Sequence, residues 1–225
     1  MEQRHNQDKH SLLFIIILGM LTAIGPLAID MFLPGLPELK NDFNTTTAHA
    51  QLTLSFFMIG LGIGNLFVGP ISDSLGRKKP LIIVMTIFTL ASLGIIFVHN
   101  IWLMIILRLL QGITGGGAAV ISRAIASDLY KGNELTKFLS LLMLVNGVAP
   151  VIAPALGGII LSVAVWRVIF VILTIFGILM VMGSLTKIPE SLSLEYRDSS
   201  GIKVIFQNFK SLLGTPRFVL PMLIQ

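Results

Sequence analysis

Six long apolar runs limit this chain to very few folds. Each run is close to the twenty or so residues that an α-helix needs to cross about 30 Å of hydrocarbon. Only 12% of the 225 residues are charged, roughly half the share found in soluble domains. The core of a soluble protein therefore does not explain the six apolar runs. The sequence predicts an all-α integral membrane protein with six spans, at residues 11–33, 48–72, 81–98, 102–122, 135–162 and 165–186.

These spans divide the chain into three segments. Residues 1–187 are predicted to form a six-helix transmembrane bundle, and the first run stays in it because it lacks the small-residue cleavage site of a signal peptide. Residues 188–215 are predicted to be a cytoplasmic loop, with an amphipathic helix over 202–213 that lies along the membrane surface. Residues 216–225 begin a seventh span, whose apolar run at 218–224 is too short to cross.

Lysine and arginine are concentrated in alternate loops. The net charge of +5 could indicate a nucleic-acid partner, but its distribution follows the positive-inside rule of membrane proteins instead. The rule predicts that both termini are cytoplasmic, with Lys40 outside and Lys78 inside, and we predict no nucleic-acid partner. The clusters assigned to the cytoplasm are Arg4 and Lys9; Arg77, Lys78 and Lys79; Arg123, Lys131 and Lys137; and Lys187, Arg197, Lys203 and Lys210.

Small residues spaced four apart predict close contacts between helices. In a membrane such spacings put the small residues on one helix face, where two backbones can approach. The pattern occurs in the second, fourth and fifth spans. Its members are Gly60 and Gly64; Gly112 and Gly116; and Ala149, Ala153 and Gly157.

The loop between the second and third spans, GPISDSLGRKKPL, carries an acid as well as bases. Gly76 permits a tight reversal, and Asp73 and Arg77 can contact each other or a neighbouring helix end. Asp128, at the cytoplasmic end of the fourth span, is a candidate third member. The alternative is a solvated loop whose cations only set topology, and we prefer it for the two lysines after Arg77 but not for Asp73.

Two charged residues lie about one helical turn or more inside the predicted spans. Arg108 lies about 10 Å from the outer end of the fourth span at 1.5 Å per residue, where an arginine costs about 2.5 kcal/mol or more to insert. Asp30 lies at a comparable depth in the first span, so the two side chains are predicted to pair. The alternatives are that Arg108 extends to the outer interface and that Asp30 caps the loop at Pro34.

Two stretches resemble signature motifs of the major facilitator superfamily. GPISDSLGRKKPL resembles the loop motif G-x-L-a-D-r-x-G-r-k-x-x-l, with Ile71 and Ser74 as departures, and RLLQGITGGGAAV resembles the fourth-helix motif R-x-x-q-G-x-g-a-a. In that family the loop works as a conformational latch. The matching residues are Gly69, Asp73, Gly76, Arg77, Lys78 and Leu81 in the loop, and Arg108, Gln111 and Gly112 in the helix.

Two further stretches narrow the resemblance to drug:proton antiporters. APVIAPALGGII resembles the fifth-helix antiporter motif g-x-x-x-G-P-x-x-G-G, with alanine in place of two glycines. LAIDMFLPGLPE, which contains Asp30, resembles the first helix of the bicyclomycin-resistance (Bcr/CflA) branch. The fifth-helix residues concerned are Pro154, Gly157 and Gly158, together with a second proline, Pro150.

The resemblance implies both a fold and a function. The fold is the N-terminal six-helix half of a twelve-helix bundle, built from two inverted three-helix repeats and truncated in its seventh helix. The function is proton-coupled efflux of small lipophilic drugs by alternating access in the bacterial cell membrane, with Asp30 and Arg108 coupling the proton. The missing C-terminal half is an implied partner, and the chain is expected not to transport alone.

Two other classes of function remain to be distinguished. A major facilitator for a metabolite or sugar would share the loop motif but would have less reason to carry the fifth-helix prolines and glycines. An intramembrane enzyme would need a buried nucleophilic or metal-binding cluster, whereas the four histidines lie at or beyond the predicted span ends and cysteine is absent. We therefore predict no enzymatic activity, no metal and no cofactor.

Overall fold

The computed structural model describes residues 12–197, and most of these residues are helical. Six of the helices are long and apolar enough to cross a membrane. The short helix α2 follows α1, and we call the end of the bundle that carries it the α2 side. The helices are α1 (Leu12–Asp30), α2 (Leu36–Asp42), α3 (Thr47–Leu75), α4 (Lys78–Ile96), α5 (Ile101–Leu129), α6 (Gly132–Val163) and α7 (Arg167–Lys187).

Local signals in the sequence set several helix ends. The hydroxyl of Thr46 accepts the backbone N–H of His49 at 3.2 Å and caps α3. The side chain of Asn100 accepts the N–H of Trp102 at 2.8 Å and caps α5, as expected for N-cap residues. Gly76 reverses the chain between α3 and α4 with φ +90, a conformation that glycine adopts without strain. Because α3 begins just after α2 and ends at Leu75, the loop that contains Gly76 lies at the end of the bundle opposite the α2 side.

The closest helix contact joins α3 to α5 along a seam of glycines. A Cβ atom added to Gly64 would lie 2.0 Å from the carbonyl oxygen of Ile113, and one added to Gly112 would lie 2.2 Å from that of Phe57. Because both distances are far below van der Waals contact, only glycine permits this approach. The packing predicted from the glycine spacing is confirmed. The seam glycines are Gly60, Gly64, Gly112 and Gly116.

Helix α5 is central and helix α6 is peripheral. In the most apolar stretch of α5, 61% of the residues are buried, against 17% in α6. Helix α6 contacts the end of α1 through Gly157, where an added Cβ would lie 2.1 Å from the carbonyl oxygen of Met31. Elsewhere it exposes large apolar side chains, among them Val151, Ile159 and Val163. Helix α6 therefore presents a largely uncovered apolar face.

The six predicted spans are confirmed, and the largest boundary shift is at the end of the fourth. The apolar pattern ends the fourth span near residue 122, but α5 continues to Leu129. Arg123 therefore lies inside α5 and not in a loop. Its guanidinium donates to Asn65 Oδ1 at 3.3 Å. The predicted amphipathic helix at 202–213 and the start of a seventh span at 216–225 lie outside the described residues.

Candidate functional site

Arg108 is fully buried within α5. Its guanidinium carbon lies 4.7 Å from the ring centres of Phe32 and Phe57 and 5.3 Å from that of Phe170. Aromatic faces attract cations, and the attraction is stronger where water is excluded. We call these three rings the Phe cage. The cage takes its rings from the segment after α1, from α3 and from α7, so its shape depends on how three parts of the bundle pack.

Arg108 also caps the end of α1. Its Nη1 donates to the carbonyl oxygen of Ala28 at 3.1 Å. In a regular helix this oxygen would accept the N–H of Phe32, but that N–H donates to the carbonyl of Ile29 instead. The last carbonyls of a helix lack partners and carry partial negative charge, so a cation is favoured there. Nη1 donates to Gln111 Oε1 at 2.8 Å as well, and Gln111 Nε2 donates to the hydroxyl of Ser92 at 2.7 Å.

The ion pair predicted between Asp30 and Arg108 does not form in this structure. The ion pairs among residues 12–197 join other side chains, and Arg108 Nε and Nη2 have no partner. Similar depth was the basis of the prediction, but successive helix residues are rotated by about 100°, so depth does not decide which way a side chain faces. Asp30 is half-buried at the end of α1, in the same turn as the Ala28 carbonyl that Arg108 binds.

The charged residues predicted for the latch do meet. Arg77 donates from Nη1 to Asp73 at 2.5 Å and to Ser72 at 2.7 Å, and from Nε to Asp128 at 2.9 Å. Burial lowers the pKa of Arg77, but the hydrogen bonds and negative charges of Asp128 and Asp73 raise it above its ordinary value, so the guanidinium stays charged. Arg77 therefore ties the end of α3 to the end of α5.

Glu190 joins this cluster of charged residues, although the sequence did not reveal it. Its carboxylate accepts the backbone N–H of Arg77 at 2.7 Å and that of Lys78 at 3.3 Å, which places a negative charge at the N-terminus of α4. It also pairs with Arg197 at 3.7 Å. A Cβ on Gly76 would lie 2.5 Å from Glu190 Oε2 and would displace this carboxylate, while the φ of +90 is what requires glycine at this position. The only sequence signal was an acid just after the last span.

The remaining motif residues contribute to packing in different ways. Gly69 faces α5, where an added Cβ would lie 3.0 Å from a methyl group. In α6 the two prolines, Pro150 and Pro154, lie inside a helix that is continuous from Gly132 to Val163. Gly157 is buried against the residue that follows Asp30, whereas Gly158 and Pro150 are exposed. The fifth-helix motif is therefore split between an inner and an outer face of α6.

The model of a family described as the Major Facilitator Superfamily matches residues 18–225. The chain belongs to the major facilitator superfamily. It is 43% identical over 218 residues to the uncharacterised MFS-type transporter YdgK of Bacillus subtilis (strain 168), covering 96% of this chain and 54% of the relative. It is 33% identical over 204 residues to a bicyclomycin resistance protein homolog of Haemophilus influenzae, covering 91% of this chain and 51% of the relative.

The chain spans about half the length of the curated relatives that it matches. A solved structure, that of the human organic anion transporter MFSD10, matches with a TM-score of 0.64 and 16% identity, over 86% of this chain and 52% of that chain. At this identity the match shows the fold alone. The relatives YdgK and MFSD10 are named as transporters and not as enzymes. Among residues 12–197, no three His or acidic side chains are grouped so that they could hold a metal ion.

In a major facilitator transporter, Asp73→Asn is expected to impair transport far more than Lys79→Gln. Both changes remove one charge, but Asp73 holds Arg77, whereas Lys79 is exposed. Because the Asp73 side chain is half exposed, its ion pair with Arg77 contributes about 0.5–1 kcal/mol, so we expect the Asp73 variant to lose about two- to fivefold in initial rate and the Lys79 variant to lose nothing. The measurement is transport of a full-length relative's own substrate by cells that co-express this chain and the C-terminal half of that relative, normalised to the amount of inserted protein. Equal losses would mean that the loop serves only topology.

Proposed function

We propose that this chain is the N-terminal half of a multidrug exporter that exchanges small lipophilic drugs for protons by alternating access. The drug substrate is supported by relatives named for bicyclomycin and multidrug resistance. A second six-helix half is supported by the coverage of those relatives, since substrate sites of such transporters lie between two repeats that move against each other.

The observation that carries this proposal is the state of Arg108. A fully buried guanidinium with two free donors, Nε and Nη2, is costly in a membrane-spanning helix, and such residues mark functional sites. Asp30 lies in the turn of α1 that Arg108 already caps. It is therefore the acid best placed to use the free donors when the end of α1 moves.

In the proposed cycle Asp30 binds and releases one proton. When its carboxylate reaches Arg108, the guanidinium stabilises the ionised form, and the proton leaves. When the two groups are apart, the half-buried carboxyl favours its protonated form. If the two arrangements open to opposite sides of the membrane, a proton moves inward for each drug molecule that moves outward.

In this cycle the latch residues stabilise one of the two arrangements from the cytoplasmic side. Arg77 joins the ends of α3 and α5, and Glu190 joins the segment after α7 to the start of α4. These contacts hold the helix ends on one side of the bundle together, so they favour one of the two arrangements. Their breakage would accompany the change to the other arrangement.

We further propose that both termini are cytoplasmic and that the α2 side faces outward. The alternating Lys and Arg clusters support this orientation. Lys40 on the α2 side and Lys79 beside the latch are both exposed, so both can be replaced by cysteine without disturbing a buried contact. Membrane-impermeant thiol reagents are expected to label the two cysteines from opposite sides, and labelling from the same side would overturn the orientation.

A drug-accumulation assay tests the proposed function. Efflux-deficient cells that co-express this chain and the C-terminal half of a full-length relative are expected to accumulate less lipophilic dye than cells with either half alone. A protonophore is expected to remove the difference, because export depends on the proton gradient. Unchanged dye accumulation, together with gradient-dependent movement of a sugar or metabolite, would replace the proposal with the other transporter class.

A further inference from the structure

Trp166 is fully buried at the start of α7 and is held from two directions. Its backbone N–H donates to Glu38 Oε2 and its indole N–H donates to Asp42 Oδ2, both at 3.1 Å. Glu38 and Asp42 both belong to α2. A buried indole needs a partner for its N–H, and these two bonds fix the ring relative to α2.

Arg167 extends the same set of contacts to α4. It pairs with Asp42 and donates from Nε and Nη2 to the carbonyl oxygens of Ile96 and Val98, at 3.1 Å each. These carbonyls lie at the end of α4, where a cation is favoured. The four side chains Glu38, Asp42, Trp166 and Arg167, which we call the α2 cluster, therefore tie α2, α4 and α7 together at one end of the bundle.

The ring of Trp166 contacts two of the three rings in the Phe cage. Its centre lies 6.2 Å from that of Phe32 and 5.8 Å from that of Phe170, both edge to face, and the two phenylalanine rings are 5.2 Å apart. All three rings are fully buried. Because protein interiors are close-packed, none of these rings can shift without displacing the others. Arg108 lies over both phenylalanine faces.

We infer that Trp166 is a positioning residue for Arg108. It fixes Phe32 and Phe170, and through them it sets where the guanidinium lies relative to Asp30. It also links the α2 cluster to that site. Movement of α2 therefore displaces Arg108, and movement of Arg108 displaces Trp166. The consequence for transport rests on the proposed proton coupling, whereas the link between the two sites does not depend on any substrate.

The link predicts a fluorescence signal that depends on Asp30. Trp166 and Trp102 are the two tryptophans of the chain, so Trp102→Phe leaves Trp166 as the only reporter in the full chain in lipid nanodiscs. Glu38, Asp42 and Arg167 are the charged groups in contact with Trp166, and they are unchanged in every variant compared, so their effect on the emission is common to all. We expect an additional pH-dependent change in emission that is lost in Asp30→Asn and in Arg108→Gln and kept in Glu134→Gln. Identical titrations in all four proteins would overturn the inference.

A transport measurement tests the positioning role separately. Trp166→Phe keeps an aromatic ring but removes the N–H that binds Asp42, so the protein is expected to fold while the cage relaxes. With the C-terminal half of a full-length relative, this variant is expected to shift the pH of half-maximal export, and Trp102→Phe is expected to leave it unchanged. An unshifted pH profile would overturn the positioning role. Absence of export from every variant would refute the proposed function and leave the fluorescence result as the test of the link.

Discussion

Asp30→Asn is expected to abolish drug export against a gradient. The amide keeps the size of the carboxyl group but cannot take up or release a proton in the cycle. A pH difference of one unit supplies about 1.4 kcal/mol per proton, enough for about a tenfold drug gradient. In everted membrane vesicles that contain this chain and the C-terminal half of a full-length relative, the drug ratio is expected to fall from about tenfold to unity.

Two controls separate loss of coupling from loss of folding. Glu134→Gln removes an exposed carboxylate in the first turn of α6, and it is expected to leave export unchanged. Downhill drug movement is expected to persist in Asp30→Asn, because the change removes the proton carrier and not the path. A variant without Asp30 that still concentrates drug when the pH gradient is applied would exclude Asp30 as the carrier.

The contacts of Arg77 with Asp73 and Asp128 could be predicted because their signals are local. Asp73 and Arg77 are separated by four residues, so they meet at the same helix end, and the turn at Gly76 is marked by the residue type. Counting spans then places Asp128 on the same side of the membrane, where the structure brings it to Arg77. The glycine seam was predictable for a similar reason, since spacing by four identifies a helix face before its partner is known.

The partners of Arg108 could not be predicted because one of them is a backbone atom. The carbonyl of Ala28 is free only because of how α1 ends, and no residue type marks it. Hydropathy gives the depth of Asp30 and Arg108 but not their rotation about the helix axis, so the expected ion pair was wrong for this structure. Nothing in the sequence distinguishes Phe32, Phe57 and Phe170 from other apolar residues. Only the packing shows that they surround a cation.

Glu190 and the α2 cluster were missed because their contacts join distant parts of the chain. Glu190 binds the backbone of Arg77, 113 residues away, and Trp166 binds Asp42, 124 residues away. Arg167 caps the end of α4, a contact that counting charges along the sequence does not reveal. Topology rules place charged residues on one side of the membrane. Which of them contact each other is decided by the packing of the helices, here of α4 against α7.

Gly64→Ala is expected to be strongly destabilising, although it adds a single methyl group. The added carbon would lie 2.0 Å from the carbonyl oxygen of Ile113 and 2.9 Å from the backbone nitrogen of Gly117. No side-chain rotation relieves contacts with backbone atoms, so α3 and α5 would have to separate. Overpacking typically costs about 1–3 kcal/mol, and we expect a loss at or above the upper end of that range in the free energy of unfolding, measured in detergent.

Gly62→Ala is a matched control for this prediction. Gly62 lies two residues earlier in α3, and a Cβ there would meet nothing within 4 Å. Both changes replace a helical glycine with alanine, which by itself favours the helix by about 1 kcal/mol, so their difference isolates the seam. Equal unfolding free energies for the two variants would show that the helices are not held at this distance. Phe57 on α3 contacts both the seam and Arg108, so separation of α3 from α5 is expected to shift the Phe cage as well.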